Sequence, residues 1–165
     1  MEKKPVKRSE YIVELSRDHH AGLLFSWKIR EGIKRKVSAD RLLKYLNFFW
    51  KGHLNAHFRE EEALLFNRSD DPFSQQAKTE HQQLEARLHQ LNAANKKDIT
   101  EFSGFAAALV EHIRFEERQC FPYYETHLSV TVLGSVSKYL KEQHPTPFKD
   151  DYPDEFWTDT GRQND

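Results

Sequence analysis

The chain has 165 residues with a formal net charge of −1, 31% charged and 38% hydrophobic. That length suits one domain with its own core, and the near-neutral balance gives no electrostatic pull toward nucleic acid or an anionic membrane, so neither is an expected partner. No apolar run approaches the roughly 20 residues of a bilayer span, and a single cysteine excludes an internal disulfide, which fits a reducing compartment and predicts a cytoplasmic location.

Met1–Glu10 is charged and has no apolar stretch, so no secretory signal is expected there. From about Tyr11 to Lys36 the stripe Ile12, Leu15, His19, Gly22, Ser26, Ile29, Ile33 steps by three and four, which predicts a first helix. Gly22 and Ser26 on this stripe are expected to leave room beside His19. The second helix is expected to start near Ser38 or Asp40, both good N-caps, and to end near Asn67. Its inward stripe is Leu43, Leu46, Trp50, His53, His57, Glu61, Leu64. Asp71-Pro72 marks a third start, with Asp as cap and Pro in the first turn. The third stripe is Ala77, His81, Leu84, Leu88, Leu91. Asp98 with Glu101 resembles a capping box and opens the fourth, Phe102, Phe105, Leu109, His112, Glu116, Tyr123. A shorter helix is predicted over Val130–Gln143, stopped by Pro145.

Four long amphipathic helices with short connections predict an all-α, antiparallel up-and-down four-helix bundle with a short additional C-terminal helix and a tail. The bundle is assigned to residues 1–144. Residues 145–165 form an acidic tail, and its aromatics Phe148, Tyr152, Phe156 and Trp157 suggest partial docking.

Nine histidines stand beside many glutamates, and each of the four helices carries one on its inward stripe. Burying an ionised carboxylate is costly without compensation, yet Glu61 and Glu116 lie on those same stripes. His57 and Glu61 are four apart and share a helix face; His112 and Glu116 repeat the arrangement. The repeat extends from His57-Phe58-Arg59-Glu60-Glu61-Glu62 to His112-Ile113-Arg114-Phe115-Glu116-Glu117, with a final Phe at 66 and 121. An acid–His pair precedes each, Asp18-His19 and Glu80-His81. The chain thus reads as two copies of one pattern. A lone core histidine is usually a satisfied core residue, and a single His-x-x-x-Glu is usually a surface pair worth a few tenths of a kcal/mol. The matched pair, with two lone histidines in register, points instead to a metal site of four imidazoles and two carboxylates: His19, His57, Glu61, His81, His112 and Glu116. Such a set favours Fe, Mn, Zn or Ni over Ca or Mg, and a carboxylate can bridge two cations.

The stretches Leu-Ser-Arg-Asp-His-His (15–20), His-Leu-Asn-Ala-His-Phe-Arg-Glu-Glu (53–61), Glu-His-Gln-Gln-Leu (80–84) and Glu-His-Ile-Arg-Phe-Glu-Glu-Arg-Gln-Cys-Phe-Pro (111–122) resemble the hemerythrin-like, HHE cation-binding family. The resemblance spans about residues 10–128. It implies two non-haem iron ions, with Zn or Mn as alternatives, in a bundle that meets O2, NO or peroxide. By position His19 and His57 would bind one ion, His81 and His112 the other, and Glu61 and Glu116 would bridge them. The oxygen carriers of that family place a further histidine four residues from the lone one of the third helix. Here those positions are Ala77 and Glu85, so an open position is implied unless Glu85, His53 or water fills it.

Among the other histidines, His20 falls on a different stripe with Val13, Leu23 and Trp27, which favours His19 as the donor. His53 is an additional ligand, a residue orienting a ligand, or an ordinary core-edge histidine. His89 is expected in solvent, and His127 and His144 near helix ends. Tyr123 is expected in the core, donating to a backbone carbonyl or closing one end of the site. Cys120, without an activating base, reads as a core thiol.

The leading expectation is a ligand-binding metalloprotein for a small oxidant rather than an enzyme. An iron-centre enzyme for cluster repair or peroxide turnover is second. Repair proteins of the family carry an extra cysteine-bearing N-terminal segment, whereas Met1–Glu10 has no cysteine. A metal-free helical interaction module is third.

Overall fold

A computed structural model describes residues 8–159. Met1–Lys7 and the last six residues of the tail, to which part of the N-terminal and tail expectations refer, lie outside the described residues. The described chain is helical, with no strand among those residues, and none of its helices is long and apolar enough to cross a membrane.

Four rods form the bundle. The first is α1 (Val13–Lys34). The second is α2 (Ala39–Phe49), a π turn (Trp50–Leu54) and α3 (Asn55–Leu64), continuous through the turn. The third is α4 (Pro72–Ala93). The fourth is α5 (Ile99–Phe115), a π turn (Glu116–Cys120) and α6 (Phe121–His127). A fifth helix, α7 (Val130–Gln143), follows.

The second, third and fourth rods start on side-chain caps, whereas α1 starts at Ile12 without one. Ser38 Oγ accepts from the Arg41 amide, Asp71 from the Ser74 amide with Pro72 in the first turn, and Asp98 from the Thr100 amide. Each cap satisfies an amide that the first helical turn leaves open. Connections of a few residues force neighbouring rods to run antiparallel. α1 packs against α5, α5 against α4, and the second rod against both α1 and α4, which closes the square. The approach of α1 to α5 is tight at Gly22, where an added Cβ would stand 2.8 Å from Ile113 Cδ1. Gly22 therefore serves helix–helix contact, not the space beside a metal that its stripe position suggested.

Two apolar clusters fill the interior. One holds Phe25, Ile29, Leu46, Phe49, Phe58, Leu84, Leu88, Phe102, Phe105 and Leu109. The other holds Ile12, Leu15, Leu65, Phe66, Ala77, Cys120, Phe121, Tyr124 and Leu140, the last from α7. Between them every rod crosses one level where its inward residue is polar: His19, then His57 and Glu61, then His81, then His112 and Glu116. Residues 145–159 return along the outside as a strap. Phe156 is fully buried against Gly32 and Leu42. Asp150 pairs with Lys28 Nζ at 2.9 Å and accepts from Tyr45, and Asp154 accepts from Arg41 Nε at 2.9 Å.

Candidate metal centre

The polar level is shielded from bulk solvent: His19, His57, His81 and His112 are 2–4% exposed, and Glu61 and Glu116 are fully buried. Donor atoms of His19, His57, Glu61 and Glu116 lie within 4.8 Å of one another, as do those of Glu61, His81, His112 and Glu116. The two carboxylates belong to both groups. His19 Nε2 stands 2.9 Å from Glu116 and 3.4 Å from Glu61. His57 Nε2 is 3.1 Å from Glu61, and His112 Nε2 touches Glu116. His81 Nε2 faces both glutamates at 3.3 Å. The structure thus brings all six predicted residues to one place and divides the imidazoles two and two.

The outward nitrogens are equally ordered. Nδ1 of His19 meets Glu117 at 2.7 Å, Nδ1 of His57 meets Asp18 at 3.0 Å, Nδ1 of His81 meets Glu62 at 3.3 Å, and Nδ1 of His112 meets Glu80 at 3.2 Å. A carboxylate only accepts, so each Nδ1 carries a proton, and each Nε2 is the nitrogen turned to the centre, able to give its lone pair to an ion that displaces its own proton. Such outer carboxylates fix ring orientation and raise donor basicity. They follow chain order. Asp18 of the first rod supports His57 of the second, and Glu62 of the second supports His81 of the third. Glu80 of the third supports His112 of the fourth, and Glu117 of the fourth returns to His19. Arg8 pairs with Glu117 at 3.0 Å and Arg59 with Glu62 at 2.8 Å, anchoring two of the four.

These four acids had no role in the sequence reading, although the acid–His pairs and the doubled glutamates were visible. The available signal was position: each is adjacent to an inward donor, so it points about 100° around the helix, toward the neighbouring rod.

Electrostatics in the polypeptide follow from burial against pairing. Burial and Glu116 raise the pKa of Glu61, but His57 and His19 outweigh them and hold it below the usual carboxylate range. Glu116 is held well below that range against burial, chiefly by His112. Burial lowers the imidazole pKa values, yet the carboxylates prevail: His19 and His81 are raised well above the ordinary value, and Glu61 and Asp18 push His57 up to about 9. Even so, His19 Nε2, His57 Nε2, His112 Nε2, both oxygens of Glu61 and Glu116 Oε2 are buried without a hydrogen bond. Buried polar atoms rarely go unsatisfied. Six converging on one point, all nitrogen or carboxylate oxygen, fit a pair of transition-metal ions.

The remaining candidates lie elsewhere. His20 and His89 are exposed. Glu85 pairs with Arg59 at 3.1 Å on the surface. His53 is 8% exposed, and burial together with the charge of His57 pushes its pKa down to about 4. Neither His53 nor Glu85 belongs to either donor group. Ala77 is packed in an apolar cluster. His144 reaches across to Glu60 at 2.6 Å. Cys120 is fully buried with Sγ 3.8 Å from the Phe73 carbonyl, and burial and Glu116 push its pKa up, so it is a core thiol.

Tyr123 is a correction. It is half-buried and packs on Phe73 and His127, and the core position belongs to Tyr124, whose hydroxyl bonds Ser74 Oγ. The π turn at Glu116–Cys120 inserts one residue into the inward stripe, so the position two turns beyond Glu116 falls at 124.

No curated protein and no solved structure matches the chain significantly. Residues 10–124 match the family model described as the hemerythrin HHE cation binding domain. With most of the chain covered and its His/Glu groups converging in the core, the chain belongs to the hemerythrin HHE cation-binding family.

Proposed function

We propose that this chain holds two iron ions, each between two imidazoles and the two shared carboxylates, and binds a small oxidant there: O2, NO or peroxide. One ion would take His19 and His57, the other His81 and His112, with Glu61 and Glu116 bridging. The observation that carries this reading is the sharing of Glu61 and Glu116 by both donor groups. Iron suits a set of two histidines with carboxylate and open positions, as in non-haem Fe(II) sites. Charge supports two divalent ions. Their four positive charges would offset Glu61 and Glu116 and part of the charge of the outer carboxylates. On six-coordinate iron four protein donors would leave positions free, which favours binding and response over a closed site.

The test is elemental analysis of protein purified without chelator, with absorption spectra before and after the reduced, anaerobic protein meets each ligand. About two irons per chain and a spectral change with at least one ligand are expected. Zinc, or no metal, in a well-folded protein would overturn the iron assignment. Two irons with no response to any of the three would overturn oxidant binding.

A further inference from the structure

A cavity of about 160 Å³ lies against the His57 side of the centre. Its walls include Asp18, His53, His57 and Glu60 from the bundle and His144 and Phe148 from the returning chain. The His53 ring stacks on Phe148, centroids 4.4 Å apart, and lies 5.9 Å from the ring of His57. His53 is more than nine-tenths buried, and its Nε2 has no hydrogen-bond partner in the protein. An imidazole nitrogen left this way costs on the order of 1–3 kcal/mol unless a small polar molecule satisfies it.

Size and lining define that molecule. At about 30 Å³ per water, the space takes a handful of small molecules and lies below the roughly 300–1,000 Å³ of sites for larger ligands. Asp18 and Glu60 on the wall repel anions. Imidazole, carboxylate and hydroxyl edges reward a ligand that both donates and accepts hydrogen bonds, which apolar diatomics do not. At the rim stand Gly52 and Ala56, one turn apart and exposed; their small side chains leave the opening clear.

We propose that this cavity is a vestibule for a small, uncharged, hydrogen-bonding ligand of the hydrogen peroxide class, received at His53 Nε2 beside the metal centre. Its use as an approach to the centre rests on the di-iron reading; its occupancy does not.

The experiment separates the two. Hydrogen peroxide is titrated into the full chain loaded with redox-silent zinc and followed at the imidazole resonances. A saturable shift is expected at His53, with none at exposed His89, and the shift is expected to vanish in Ala56→Phe, which puts a ring at the rim of an exposed helix position. No saturable shift at His53 overturns the vestibule. In iron-loaded protein, Ala56→Phe and His53→Leu are each expected to slow the bimolecular reaction with peroxide at least tenfold with unchanged metal content. Wild-type rates in both variants overturn the approach route. A saturable shift at His53 in zinc protein, with no reaction of the iron protein, upholds the vestibule and removes peroxide from the ligands of the centre instead.

Discussion

At the scale of single residues, the outer carboxylates decide how well the imidazoles are aimed. Replacing Glu117 by Gln or Asp18 by Asn keeps the shape but weakens the acceptor that fixes Nδ1–H. Metal affinity is expected to fall about 10- to 100-fold, with helix content unchanged by circular dichroism. Competition against a chelator reads this directly, and wild-type affinity in both variants would show that the rings need no such support. Protons give a second prediction. The His57 pKa of the metal-free chain is raised to about 9, so at pH 7 the ring is protonated and an incoming ion must displace that proton. Apparent metal affinity is therefore expected to rise with pH toward about 9. Calorimetry at pH 7 in buffers of different ionisation enthalpy should give different heats; identical heats would contradict the raised value. The six central residues were legible in the sequence because helical periodicity places them inward and the repeated His-x-x-x-Glu pattern picks them out. The outer acids were not, because a residue one step from the inward stripe reads as surface until the neighbouring rod is known.

At the scale of elements, cap chemistry located the helix starts well: Ser38, Asp71 and Asp98 all cap as their residue types predict. The π turns were invisible, since periodicity arguments assume a constant 3.6 residues per turn. Their effect is local. The stripe of the fourth rod holds through Glu116 and slips one residue beyond it, exchanging Tyr123 for Tyr124. The two tyrosines should respond oppositely to loss of the hydroxyl. Tyr124→Phe removes the buried bond to Ser74 Oγ, which keeps its bond to Asp71, and is expected to cost about 1–1.5 kcal/mol. Tyr123→Phe should stay within about 0.5 kcal/mol. Denaturant midpoints of the two variants check this, and equal effects would contradict the slipped register.

At the scale of the whole molecule, the strap joins the bundle's own core through Phe156. Phe156→Ala is expected to cost about 3–5 kcal/mol, the usual range for a buried aromatic, in one cooperative transition. A separate early transition would mean that the strap melts independently. Its polar clamp should respond to acid. Arg41 holds the Asp154 carboxyl below its ordinary value. A depressed folded pKa contributes stability above the unfolded value of about 3.9, lost as pH falls through the folded one. Acidification below about pH 4 is expected to loosen the strap. Trp157, whose ring lies 4.0 Å from Lys28 Nζ, reports this by fluorescence, and Arg41→Gln should blunt the response. The tail's aromatics suggested docking from sequence, but where they land depends on the groove over Gly32 and on Lys28, Tyr45 and Arg41, which only the folded bundle brings together.

The order in which the outer acids support the rings has a consequence for synthesis. Three of the four supports run from an earlier rod to the next, and the last runs from Glu117 back to His19. A nascent chain leaving the ribosome can therefore orient His57, then His81, then His112 as each rod emerges. Its first histidine waits for the last rod. Translation that stops before residue 116 yields a chain that lacks both Glu116 and the acid that steadies His19, so a complete centre also certifies that the fourth rod has been made at least as far as Glu117.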